Sequence, residues 1–151
     1  MGVNKLENSD VVKEVLTKMI NISGRKTNKG HAVYVMDSSL KKLLKKYDFL
    51  KHIEVKDTRF LEDIDPIDVM KEIDSIPPNE VGKAINEVIT TMDKSLGKDA
   101  GYFFIKELSR NIHDDYQTTI KDMGIDLSLM QLEREIKELE KRMITTQKNE
   151  K

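Results

Sequence analysis

The sequence contains no cysteine. Disulfides, a thiolate nucleophile and a cysteine-held iron–sulfur cluster are therefore excluded, packing alone must hold the chain together, and a reducing compartment is compatible with it. Long apolar runs are also missing: no segment approaches the roughly 18 uncharged residues of a membrane helix. The opening MGVNKLENSD has no apolar core after its charges, so no secretion leader is expected. Leu6 stands where an N-myristoylation signal needs Ser or Thr. Without a leader, the glycosylation pattern Asn21-Ile22-Ser23 carries no weight. No repeat with a period of 20 to 50 residues is visible, which removes solenoids and propellers. The expected setting is the cytoplasm.

What is present reads as one ordinary domain of 151 residues. Hydrophobic residues make up 38% and charged residues 35%, a balance that predicts a modest core under solvated helix faces. The net charge of −1 hides a polarity. Residues 1–60 hold 13 Lys+Arg against 7 Asp+Glu (+6), and residues 61–151 hold 13 against 20 (−7). Such halves either steer an acidic partner to the front or dock on one another.

Apolar periodicity predicts mainly α structure: a compact multi-helix domain, room for one small β-hairpin near residues 50–62, and a long C-terminal amphipathic helix. Val12, Val15, Leu16, Met19 and Ile20 mark a first helix over about 10–22, with Ser9 as its cap and Gly24 closing it. Val33, Met36, Leu40, Leu43, Leu44 and Tyr47 mark a second, capped by Thr27 or Asn28; the competing reading takes AVYVM, residues 32–36, as a strand. FLKHIEV is the best strand candidate, with TRFLE as its partner. Asp65-Pro66 has the form of a helix start, leading into Ile67, Met70 and Ile73. Val81, Ala84, Ile85, Val88, Ile89, Met92 and Leu96 line the clearest helix, the expected spine, ended by Gly97. Asp99 caps a helix through Phe104, Ile105, Leu108 and Ile112, and a short helix carries Tyr116, Ile120 and Met123 to Gly124. Ser128 and Gln131 fit a reciprocal capping box for the last helix. The expected divisions are a flexible start at 1–8, a helical core over 9–126, a coiled-coil-like helix over 127–146 and a flexible tail over 147–151.

Few residues offer chemistry. NISGRKTNKGH, residues 21–31, lacks the Gly-Lys-Ser/Thr of a phosphate loop and follows a helix rather than a strand. At most it makes a weak anion site from Arg25, Lys26, Thr27 and Lys29 beside the start of helix two. Lys41, Lys42, Lys45 and Lys46 form a basic face, but no aromatic alternates with them to stack bases, which argues against nucleic acid as a partner. The acidic run from Glu62 to Asp74 lacks the turn glycine of an EF-hand, and His31, His52 and His113 lie too far apart in sequence to pair on zinc. HDDY at 113–116 sets adjacent side chains in different directions on a helix, so they do not converge on one substrate atom. No catalytic set, metal site or cofactor is expected, and the balance leans away from an enzyme.

The last helix carries the strongest functional signal. Ile125, Leu129, Leu132, Ile136, Leu139 and Met143 step by four and three, a narrow seam flanked by Glu133 with Lys137 and Glu138 with Arg142. It predicts a regulatory or adaptor domain that associates with itself or with another protein, unless the helix folds back along its own domain. The alternative class is a small-molecule sensor with an apolar pocket near Tyr102, Phe103 and Phe104.

Overall fold

The computed structural model describes residues 6–56, 65–97 and 104–149, with side chains as far as 144. In chain order it has α1 (Asn8–Lys26), α2 (Lys29–Leu43), a 3-10 turn (Asp48–His52), β1 (Ile53–Val55), β2 (Ile67–Val69), a second 3-10 turn (Lys71–Ser75), α3 (Pro78–Ser95), α4 (Phe104–Asn111), α5 (Asp114–Asp122) and α6 (Leu127–Asn149). The mainly helical class with one small antiparallel sheet and a long last helix is what the periodicity predicts.

The centre of the molecule is α1 rather than α3. Its apolar residues fall in adjacent pairs, Val11 with Val12, Val15 with Leu16, and Met19 with Ile20, all closed to solvent. Pairs at fourfold spacing widen the stripe beyond what one neighbour can cover. Accordingly α2, α3, α4, α5 and β2 all pack against this helix. Its first turn is latched to the 3-10 turn before α3. The buried Asn8 amide donates to the carbonyls of Ile73 (3.0 Å) and Ile76 (2.8 Å), and Asp74 accepts from the Ser9 backbone N–H (2.7 Å) and hydroxyl (3.1 Å). Ser9 is therefore not the cap. Helix α1 begins at Asn8, two residues earlier than a Ser9 cap implies, with Glu7 as its cap and Asp10 accepting from the Glu7 N–H.

Gly24 does not stop α1 either. Its φ is not positive, the helix continues to Lys26, and the bend falls at Thr27-Asn28. Nothing competes with the helix until Asn28, whose side chain accepts from the His31 N–H at 2.7 Å and starts α2. Residues 32–36 are helical, which settles the strand alternative.

The small sheet pairs Ile53 with Val69, Glu54 with Asp68 and Val55 with Ile67. TRFLE, residues 58–62, lies outside the described residues. Asp65-Pro66 opens a strand instead of a helix, because alternation at Ile67 and Val69 places one apolar side chain in the core and the next against its edge. Pro66 has no N–H to give, but its carbonyl accepts from Lys56 at 2.8 Å and extends the ladder.

The charged halves dock on each other. Among the described residues, four ion pairs join a cation of the first 60 residues to an acid beyond them: Lys13–Asp65 (3.3 Å), Lys26–Glu107 (2.8 Å), Lys46–Glu87 (2.8 Å) and Lys56–Asp68 (4.0 Å).

Two glycines carry opposite expectations. A Cβ on Gly82 would lie 1.8 Å from the Met123 carbonyl oxygen, where α3 meets the end of α5. Gly82→Ala should cost about 2 kcal/mol or more. At Gly24 the nearest atom to an added Cβ is Lys29 Cα at 3.5 Å, ordinary contact inside a helix. Gly24→Ala should gain about 0.5–1 kcal/mol. Urea unfolding of the two variants checks both signs.

Candidate functional site

Helix α6 is positioned by what precedes it. Gly124, at φ 91°, ends α5 in a left-handed turn, and Ile125 and Leu127 plug into the core. The cap is Asp126, whose carboxylate accepts from the Leu129 N–H at 3.0 Å, rather than Ser128 as the spacing suggests. Helix α6 then runs alongside α4.

Its first turn rests Leu127 and Met130 on the core, and beyond them the face it turns inward is polar. Arg134 reaches Asp93 on α3 in a direct ion pair, and Glu138 follows one turn later. Asp93 is 5% exposed and Glu138 6%. Burial holds the Asp93 carboxyl above the ordinary carboxylate range; Arg134 opposes that shift, and the nearby Glu138 charge adds to it. Among the described residues, Asp93 Oδ1 and Arg134 Nε have no hydrogen-bond partner. These groups line a groove of about 670 Å³ between α3 and α6, together with Asn86, Ile105 and Lys94.

Leu129 borders this groove, and from Leu132 onward the apolar seam points the other way. Residues 134 and 136 sit about 200° apart on the helix, so seating Arg134 against the body turns Ile136 outward. Leu129, Leu132, Ile136, Leu139 and Met143 are all exposed, from 46% at Ile136 to 58% at Leu139, and Ile144 extends the strip. Every residue from 139 to 144 is exposed. Glu138, expected on the surface beside Arg142, is instead drawn in beside Asp93.

The four residues of the anion reading are split. Arg25 and Lys29 line one shallow groove of about 450 Å³ with Lys18. Lys26 turns to Glu107, and the Thr27 hydroxyl donates to the Ser23 carbonyl at 2.9 Å. On the basic face, Lys41 pairs with Asp37 at 2.8 Å and Lys46 with Glu87. Tyr102 and Phe103 lie outside the described residues, whereas Phe104 is wholly buried in the core and lines neither groove. His113 caps α5, its Nδ1 accepting from the Asp115 N–H at 3.2 Å. Among the described residues no three His, Asp or Glu side chains gather as a metal ion would require, and no helix is long and apolar enough to cross a membrane.

The buried pair can be tested directly. Asp93→Ala strands the Arg134 charge and should lower the unfolding free energy by about 3 kcal/mol, whereas Asp93→Leu with Arg134→Met should leave it within about 1 kcal/mol or raise it. The pH dependence has a definite sign. A raised folded-state pKa means that the folded chain holds this proton to higher pH than the unfolded chain. Stability therefore falls as pH rises from the ordinary carboxylate value of about 4 through the raised one. Asp93→Asn should remove that part of the slope from urea midpoints measured across pH.

No protein-family model, curated protein or solved structure matches this chain.

Proposed function

We propose that this chain is a non-enzymatic regulatory or adaptor domain of the cytoplasm that works by protein–protein association through the outward seam of α6. The observation that supports this reading is the inverted seating of that helix. A helix that serves only its own domain turns its apolar stripe to the core and its charges to water. Beyond Leu127 and Met130, which rest on the core, Arg134 and Glu138 face the body while Leu129, Leu132 and Leu139 are exposed. Rotating α6 would not cover the whole seam, because residues 139–144 are exposed on every side. Contiguous apolar strips of this kind on a protein surface mark sites of interaction.

Leu132→Glu together with Leu139→Glu places two charges on the seam without touching the core. Folding stability should change by no more than about 0.5 kcal/mol per site, as for other surface substitutions. Association should be lost, read as sedimentation of the purified chain and as capture of partners from extract, each against wild type. Association unchanged by the two charges would end this reading, as would loss of cooperative unfolding in the variant, which would place the seam inside the fold.

A further inference from the structure

We infer that the partner of the α6 seam is a second copy of this chain, packed antiparallel with Ile136 of each copy against Leu139 of the other. The inference rests on the association reading above and adds the identity, direction and register of the partner.

The seam residues occupy the two core positions of a heptad: Leu129, Ile136 and Met143 at the first, Leu132 and Leu139 at the fourth. In an antiparallel pair, first positions meet fourth positions. The alignment that opposes Ile136 to Leu139 also opposes Leu132 to Met143, so these four residues of both copies are used and the two-fold axis falls between residues 137 and 138. Leu129 stands outside this pairing. Shifting the alignment one heptad one way covers Leu129 in place of Met143 but sets Glu135 of each copy against Glu135 of the other; shifting it the other way pairs only Leu139 with Met143 and sets Arg142 against Arg142.

Charge selects the direction. In this alignment Glu135 of each copy flanks Arg142 of the other, giving two opposite-charge pairs per dimer. Arg142 is exposed, and among the described residues Glu135 has an intrahelical contact, accepting from the Gln131 amide at 3.2 Å. On the other flank Glu133 meets Glu140, but Lys137 stands one turn from both along α6 and offsets their repulsion. A parallel pair would set Glu135 against Glu140 twice and give Arg142 no acid among the described residues. The two helix dipoles also favour opposed directions.

The available surface suits a dimer that forms and separates with concentration. The four paired side chains, about half open, present on the order of 100 Å² each, roughly 400 Å² per copy, and the stems of Glu133, Glu135, Glu140 and Arg142 add to that, below the roughly 800 Å² a side of a specific stable interface.

Because the chain has no cysteine, introduced thiols report without interference. Ile136→Cys and Leu139→Cys chains, mixed and oxidised mildly, should form the mixed disulfide faster than either self-linked dimer. Self-linked dimers in excess would mean a parallel pair and overturn the register. Glu135→Arg supplies the second arm. In the antiparallel pair it faces Arg142 and should weaken dimerisation about three- to tenfold, with Glu135→Arg/Arg142→Glu restoring it, whereas in a parallel pair it would face Glu140 and strengthen dimerisation. A wild-type chain that sediments at 17.5 kDa at all concentrations would overturn self-association. Seam-dependent capture of a different protein by that monomer would leave the association reading standing, so the two failures are distinguishable.

Discussion

A charge removed from water must find a partner, and in this fold that requirement falls on Asp93. The residue lies on the inward arc of α3, and its carboxylate is nearly closed to solvent. Arg134 supplies the opposite charge, and in doing so it fixes the rotation of α6 about its own axis. The exposure of Leu129, Leu132, Ile136, Leu139 and Met143 follows from the seating of Arg134, because a helix cannot offer opposite faces to the same neighbour. A buried ion pair contributes little to net stability once desolvation is counted, but breaking it is costly. The pair therefore acts as a selector of orientation: α6 turned half a revolution would leave Asp93 and Arg134 uncompensated.

That selection needs a rigid frame, which comes from α1. Wide apolar coverage lets one helix serve as the common neighbour of α2, α3, α4, α5 and β2. The Asn8 amide then fixes the position of α1 along its axis by occupying two carbonyls of the segment leading into α3. Since α3 carries Asp93, the polar latch at one end of the molecule and the ion pair beneath α6 belong to one continuous arrangement. Gly82 brings α3 against the Met123 carbonyl at the C-cap of α5, and so sets where the turn into α6 begins.

Much of this frame is legible in the amino-acid order, and the illegible parts share a cause. Periodicity marks each helix because the spacing of apolar residues is a local property. Asn28, Gly97 and Gly124 keep their expected roles, since caps and left-handed turns depend on a few adjacent atoms. Ser9 and Gly24 mislead because tertiary partners override them: Asp74 engages Ser9, and the close α1–α2 corner accepts a helix that runs past Gly24. At Asp65-Pro66 the local signal for a helix start yields to pairing with Ile53–Val55, which only the folded chain supplies. For the candidate site, the seam itself is visible as a spacing of three and four. The direction it faces is not, because Asp93 reads as one more solvated charge until α3 and α6 are placed side by side.

The same logic separates charge from grease on the rest of the surface. The excess of cations in the first 60 residues is met by acids of the later half through Lys13, Lys26, Lys46 and Lys56, so the polarity of the sequence is spent largely within the molecule. Exposed pairs of this kind add little energy, but they favour the docking of the two halves over competing arrangements. A basic face that already holds Asp37 and Glu87 has less to offer a polyanion than its lysine count implies. The apolar strip of α6 has no comparable internal answer. Its unmet demand is for contact rather than charge, and the body of the protein, already committed to Arg134 and Glu138 on that helix, has no second face of α6 to cover.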